Sequence, residues 1–225
     1  MAGYKWKVSI VVCLLLACLP AAAYGEGLEQ LPSLTRRYYT TKPVLAEFEV
    51  GGFVVSFSLI LVDEPLHELM HSRDPLPREV WKGITWIGDP LFHLALGFAG
   101  VLMGSEVGTD LFYACLYNDV NTAAIKVSTG MARPKTGVST VFTGPSFNDD
   151  FAAMPSGHTS SSFAAAGALA EHFPEWKPVL YTAAAAVGLS RIYLDEHWPS
   201  NVALGALIGY LSAKHYLHLK KEPQQ

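Results

Sequence analysis

The sequence predicts an all-α fold, a helical bundle of about six core helices with its functional site at helix ends. Long apolar stretches, separated by Pro, Gly and Asp, lie at residues 50–62, 90–105, 108–128, 159–173, 178–194 and 198–219. Their spacing is typical of helices, and no useful length of chain alternates apolar and polar residues as a half-buried strand does. Alanine-rich tracts at 164–170 and 183–186 also favour helix by intrinsic propensity.

Composition indicates one compact unit. The 225-residue chain is 50% hydrophobic and 16% charged, with a net charge of −4, so it has ample apolar surface for a core. A mildly acidic chain lacks the basic surface that a nucleic-acid partner requires, and none is expected. Of the three cysteines, Cys13 and Cys18 fall in a predicted leader, so Cys115 alone would remain and a disulfide scaffold is excluded.

Residues 1–25 are predicted to be a signal peptide. Lys5 and Lys7 precede an uncharged apolar run at 8–23, and the tripeptide at 23–25 has small residues at both positions that a signal peptidase reads. Two alternatives stay open: lipidation at Cys18, because residues 15–18 resemble a lipoprotein box, and an uncleaved membrane anchor. All three predict an exported protein, either periplasmic or membrane-associated with its site facing the periplasm.

The mature chain is expected to comprise an N-terminal arm at 26–48 without a strong pattern, a helical domain at 49–219 and a short tail at 220–225. The longest charge-free apolar tracts after the leader, 90–105 and 197–213, are shorter than the roughly 20 residues that a membrane-spanning helix needs. A water-facing or interface-bound bundle is therefore favoured, and an embedded bundle stays open because charged residues also line sites within membranes.

The most informative stretch is Met154-Pro155-Ser156-Gly157-His158-Thr159, which precedes the helical run at 160–173. A glycine-containing turn that leads into a helix directs backbone N–H groups and the positive end of the helix dipole at one spot. The Ser156 hydroxyl and the His158 imidazole would lie beside that spot, which predicts a phosphate site. A plain turn whose Ser or Thr caps the next helix is the alternative.

A second stretch covers residues 190–201. Arg191 ends one predicted helix and His197 begins the next, with Asn201 one turn later. Side chains four residues apart are neighbours on a helix, so Asn201 would accept a hydrogen bond from one imidazole nitrogen and fix the tautomer. A neutral, oriented imidazole is a good nucleophile. Alternatively, Arg191 and His197 are loop residues paired with Asp195 and Glu196.

The third stretch runs from Lys126 to Pro134. If it is helical up to the proline, Lys126 and Arg133 lie on one face and direct two cations at one cavity. The same spacing is also typical of a solvated helix face.

Together the three stretches resemble the type-2 phosphatidic acid phosphatase family, within the superfamily of acid phosphatases and vanadium-dependent haloperoxidases. The family pattern is Lys-x6-Arg-Pro, then Pro-Ser-Gly-His, then Ser-Arg-x5-His-x3-Asp. Residues 126–134, 155–158 and 190–201 match it in order, within a resemblance that covers about 85–215. Asn201 is the one departure, since it stands where the family has Asp.

This resemblance implies a phosphoric ester hydrolase that uses no metal and no cofactor. His197 would attack phosphorus and form a phosphohistidine, while His158 would protonate the leaving group and later help to activate water. The phosphate would be held by Lys126, Arg133, Ser156, Gly157 and Arg191. Asn201 would orient His197 without supplying charge, so activity would be lowered or differently tuned, and Asn201→Asp would preserve or raise it.

The implied substrates are phosphate monoesters or diphosphates, with lipid phosphates preferred and small phosphomonoesters left open. Three other interpretations also stay open. His67-Glu68-Leu69-Met70-His71 matches a zinc peptidase motif, with Glu106 as a loose candidate for the third ligand. A weakly active protein that only binds a phosphate or phospholipid would fit Asn201, and a haloperoxidase would share the anion site. The sequence predicts no oligomeric state.

Overall fold

The computed structural model describes residues 28–43 and 47–222, which form nine α-helices and no strand. They are α1 (Leu31–Thr40), α2 (Glu47–Leu59), α3 (Asp63–His71), α4 (Arg78–Ile87), α5 (Pro90–Leu102), α6 (Glu106–Thr129), α7 (Gly157–His172), α8 (Lys177–Tyr193) and α9 (Pro199–Lys221). The all-α prediction is confirmed. The predicted signal peptide, with Cys13 and Cys18, lies outside the described residues.

Helices α6, α7 and α9 form the centre of the bundle, with α5 packed along α6 and α8 packed along α7. The core between α6 and α9 is aromatic: the rings of Tyr113 and Tyr216 stack with centroids 5.6 Å apart. Small residues of α7, among them Ala164 and Ala168, are fully buried against this core. Cys115 is buried there as a free thiol.

Part of the predicted N-terminal arm is a helix that sequence analysis did not assign. Leu31, Leu34 and Tyr38 are buried and recur at helical spacing along one face of α1. The Tyr38 ring stacks on Tyr117 with centroids 4.2 Å apart. The arm is thus part of the core, because this short apolar stripe finds a partner on α6.

Helices α7 and α9 cross at very short range where two glycines of α9 meet the first turns of α7. A methyl group at Gly205 would lie 2.7 Å from the carbonyl oxygen of Ser156, and one at Gly209 would overlap the Ser160 carbonyl. Only glycine allows the two backbones to approach this closely. The crossing fixes Ser156 relative to the start of α9.

Two segments of the described residues are long and apolar enough to cross a membrane, Glu49–His71 and Arg78–Leu102. The first is largely exposed, and its exposed apolar side chains include Val50, Val54, Val55, Phe57 and Leu61. A contiguous apolar surface of this kind is unusual on a water-soluble monomer and is typical of a lipid or protein contact.

Candidate active site

The three sequence motifs meet at one end of the bundle. The loop after α6 bonds to the segment before α7 through Ala153 N–H to the Met131 carbonyl, at 3.0 Å. The segment before α7 bonds in turn to α9, since Ser156 N–H donates to the Asn201 carbonyl at 2.9 Å. Backbone hydrogen bonds therefore join all three motifs, in agreement with the prediction that the functional site lies at helix ends.

His197 lies at the centre of this end and is only 2% exposed. Its Nδ1 lies 2.6 Å from the carbonyl oxygen of Ala153. Because a carbonyl only accepts, Nδ1 bears the proton and Nε2 is an acceptor, which takes a hydrogen bond from Arg133 Nη1. Burial, followed by the charges of Arg133, Lys126 and Arg191, holds the pKa of His197 well below its usual range. The imidazole is thus a neutral, oriented base whose Nε2 faces Arg133, at 3.4 Å from Nη1.

Three buried basic side chains act on the charge of the imidazole: Lys126, Arg133 and Arg191, each no more than 5% exposed. Burial, followed by the charge of Arg133, lowers the pKa of Lys126 well below its usual range, so an anion in the site would favour its charged form. Lys126 Nζ donates to the Ala152 carbonyl at 2.6 Å, and Arg133 Nε donates to the Asp149 carbonyl at 2.9 Å. Burying a cation costs several kcal/mol unless an anion compensates it. Three such cations in one place therefore form a strong site for an oxyanion.

The buried Nε–H group of Arg191 has no hydrogen-bond acceptor among the described residues. Nη1 of the same side chain donates to the hydroxyl of Thr85 at 2.7 Å. Buried donors without an acceptor are rare in folded proteins and commonly mark a place where a ligand binds. Thr85 itself, on α4, was not predicted, because it lies far from the motifs along the chain and has no local signal.

Glu196 is a second residue that the sequence did not place in the site. Its Oε2 lies 2.9 Å from Lys135 Nζ, 3.0 Å from Arg133 Nη1 and 3.7 Å from Arg191 Nη2. Burial alone would raise the pKa of Glu196, but these cations outweigh it and lower the pKa. The carboxylate thus pairs with the same cations that an incoming phosphate would bind. The pairing of Arg191 with Glu196 was one part of the alternative interpretation of residues 190–201.

The predicted turn before α7 is present, with Ser156 as the N-cap of the helix. Ser156 Oγ accepts from the hydroxyl of Thr159 at 2.8 Å, so its own proton remains available to donate. At Gly157 an added methyl group would come within 3.7 Å of Lys126 Cε, so this backbone lies against the lysine. His158 is half-buried in the first turn of the helix.

Two geometric predictions are wrong. Arg133 is not on the helix of Lys126, because α6 ends at Thr129 and Gly130 follows in the left-handed conformation, at φ 56°. Arg133 reaches the site from extended backbone instead. Asn201 does not bond to His197: its Oδ1 accepts from Trp198 N–H at 3.0 Å, which caps α9. The carbonyl of Ala153 takes the orienting role that was expected of Asn201.

Glu106, the loose candidate for a third zinc ligand, lies at the opposite end of α6, where its Oε1 pairs with Lys220 Nζ at 2.8 Å. That prediction is therefore also wrong. His67 and His71 instead lie beside the site end of the bundle, where both imidazoles face Asp195.

The model of the PAP2 superfamily matches residues 107–224, which contain all three motifs. The chain belongs to the PAP2 superfamily. The family resemblance predicted from the motifs is confirmed, and so is the expectation of a phosphoric ester hydrolase at the level of the family.

Two curated relatives of this PAP2 protein are lipid A 1-phosphatases. The protein of Rhizobium etli is 29% identical over 69% of this chain and 75% of its own length. The protein of Rhizobium johnstonii is 29% identical over 69% of this chain and 72% of its own length.

A solved structure similar to this PAP2 chain is that of a transmembrane PAP2 type phosphatidylglycerolphosphate phosphatase from Bacillus subtilis. Its TM-score is 0.50 at 20% identity, and the match covers 99% of this chain and 98% of the other. The likeness supports the fold.

Proposed function

We propose that this PAP2 protein is a metal-independent phosphatase that hydrolyses lipid phosphates through a phosphohistidine at His197. One observation carries the proposal: a buried neutral imidazole has its Nε2 against the Arg133 guanidinium, within the electrostatic influence of Lys126 and Arg191. Simple anion binding requires the cations alone. A nucleophile set among them makes the site suited to displacement at phosphorus.

In the first step, Nε2 of His197 attacks phosphorus in line and the bond from phosphorus to the leaving oxygen breaks. His158, in the first turn of α7, gives its proton to that oxygen, so the product leaves as an alcohol. In the second step His158 takes a proton from water, which attacks phosphorus and breaks the N–P bond. Inorganic phosphate is released, and both histidines return to their starting state.

The cations hold the transferred group. Lys126, Arg133 and Arg191 would bind its equatorial oxygens, with the spare Nε of Arg191 as a ready donor. The Ser156 hydroxyl and the Gly157 amide would complete the cradle. Because Arg133 also lies against His197 Nε2, binding of phosphate to this guanidinium would bring phosphorus to the attacking nitrogen.

Lipid phosphate is the substrate class that the relatives favour, since their names specify lipid A and phosphatidylglycerolphosphate. The exposed apolar surface of residues 49–71 gives such substrates a place to meet the protein in the bilayer. With the predicted signal peptide, the proposal places the site on the periplasmic side. Small soluble phosphomonoesters would be poorer substrates, because they gain nothing from this surface.

The test measures phosphate release from phosphatidic acid, phosphatidylglycerolphosphate, lipid A and p-nitrophenyl phosphate by the full chain in detergent, with and without EDTA. We expect release that survives EDTA and is lost in His197→Ala. His218→Ala is the matched control, because this histidine is half exposed and pairs only with Glu222, at 3.2 Å, in the described residues. An acid-labile phosphoenzyme should form in the parent and control proteins and be missing in His197→Ala.

Two results would contradict the proposal. Unchanged turnover in His197→Ala would exclude this nucleophile. Tight binding of inorganic phosphate without release from any of the four substrates would favour a protein that only binds phosphate.

A further inference from the structure

Three potential metal ligands converge beside the active site, outside the reacting groups. His67 and His71 lie one turn apart on α3, and Asp195 lies in the loop between α8 and α9. Asp195 Oδ1 is 3.4 Å from His67 Nε2 and 3.2 Å from His71 Nε2. The contact links residues distant in sequence, and Asp195 is the third member that the His-Glu-x-x-His motif lacked.

These separations suit a metal ion. Ligand atoms about 2.0–2.1 Å from a tetrahedral zinc ion lie about 3.3 Å from one another. The three ligand atoms all lie within 4.8 Å of one another, and Asp195 remains partly exposed, so an ion can enter from solvent. Two imidazoles and one carboxylate, with water in the fourth position, are the ligand set of zinc sites that keep one position open, whereas closed sites have four protein ligands.

His67 Nε2 gives an independent sign of a ligand. The atom is buried, and no described residue is in hydrogen-bond geometry with it. Its nearest charged partner, the Asp195 carboxylate, lies too far for a good hydrogen bond and is shared with His71. A metal ion between these atoms would satisfy the orphaned nitrogen.

Asp195 is held in place for this role. Among the described residues it is the one non-glycine residue with positive φ, at 59°, a conformation that Asp tolerates better than most residues. Its second oxygen, Oδ2, lies 3.9 Å from Arg78 Nη1, which leaves Oδ1 to the histidines. Such outer partners commonly orient a ligating carboxylate.

We propose that His67, His71 and Asp195 bind one zinc ion, which ties α3 to the loop that precedes His197. The ion stabilises the fold and takes no part in phosphate chemistry. The loop is also held by its backbone, since Lys135 N–H donates to the Asp195 carbonyl and His197 N–H donates to the Arg191 carbonyl. His71 Nε2, 3.0 Å from the Ile192 carbonyl, exchanges that contact for the metal.

The experiment uses the full chain in detergent, stripped with a chelator and titrated with Zn²⁺ and Co²⁺. We expect one equivalent of zinc to bind, a visible absorption band of four-coordinate cobalt, and a rise in Tm on adding zinc. His67→Ala and His71→Ala should each weaken zinc binding at least tenfold and abolish the rise in Tm. His218→Ala should behave as the parent protein does.

Asp195→Gly keeps the backbone conformation while removing the ligand, and should lose zinc binding without losing the fold. Phosphatase activity of the stripped parent protein, measured below its Tm, should be retained. The proposal would be overturned if the parent protein did not bind zinc, or if the three variants bound zinc as tightly as the parent protein does. A stripped protein that folds but has lost turnover would overturn the purely stabilising role.

Discussion

Gly205→Ala tests how tightly the crossing of α7 and α9 holds the active site. The added methyl group would lie 2.7 Å from the Ser156 carbonyl oxygen, whereas ordinary contact begins at 3.4 Å. The cap of α7 must therefore move by about 0.7 Å, the difference between these two distances. The same movement would stretch the 2.9 Å hydrogen bond from Ser156 N–H to the Asn201 carbonyl.

The expected stability cost combines two losses and one gain. Overpacking costs about 1–3 kcal/mol and the weakened hydrogen bond about 1 kcal/mol. Alanine gains about 1 kcal/mol over glycine in a helix, which leaves a net loss of about 1–3 kcal/mol. Since a misplacement of about 1 Å can lower a rate by about a hundredfold, kcat/KM should fall by roughly ten- to a hundredfold.

The assay compares kcat/KM for the best lipid phosphate, and Tm, between the parent protein, Gly205→Ala and Gly51→Ala. Gly51 is the matched control: it lies within α2 and an added methyl group there meets nothing within 4 Å. Gly51→Ala should raise stability by about 0.5–1 kcal/mol and leave turnover unchanged. Parental kcat/KM in Gly205→Ala would refute the argument that this crossing sets the geometry of the site.

Three further substitutions test individual contacts of the site. Asn201→Asp keeps the oxygen that accepts from Trp198 N–H, but it loses the N–H group that donates to Met131 Sδ at 3.0 Å and buries a charge. We therefore expect a loss of about 1–3 kcal/mol in stability and no gain in kcat. A raised kcat would instead mean that the carboxylate reaches His197. Thr85→Val removes the hydroxyl that accepts from Arg191 Nη1. KM should rise about fivefold, which corresponds to the loss of one hydrogen bond. An unchanged KM would count against Arg191 as a phosphate ligand. Glu196→Gln removes the anion that competes for the cations, so inhibition by inorganic phosphate should strengthen about tenfold, and weaker inhibition would contradict this assignment.

The sequence predicted most of the helices because their apolar stretches are long and their boundaries contain Pro, Gly and capping residues. Helices α1, α3 and α4 were not among the predicted core helices, since each is short and only one face is apolar or buried. Helix α4 nevertheless supplies Thr85. Contacts of this kind depend on tertiary packing, which a local pattern does not contain.

The convergence of the candidate site residues was predicted better than their geometry. Motif spacing predicted that His197 and three basic residues lie together, yet it could not show that a backbone carbonyl, that of Ala153, orients the imidazole. Every residue has a backbone carbonyl, so the residue type at this position does not reveal the role. The left-handed Gly130 also ends α6 early, so the predicted helical register between Lys126 and Arg133 does not exist. The functional groups still converge, because loops bring Arg133 and His197 to Lys126 on α6 and Arg191 on α8.

The positions of the two apolar segments have a kinetic consequence. Residues 49–71 end, and residues 78–102 begin, beside the loop of Asp195, so both segments meet the catalytic end of the bundle. For a membrane-associated protein, substrate then arrives by diffusion in the plane of the bilayer, and the rate depends on its mole fraction among the lipids. The two products part at once, since phosphate leaves into water and the dephosphorylated lipid stays in the membrane. Diluting the substrate with inert lipid at constant bulk concentration should therefore slow the reaction.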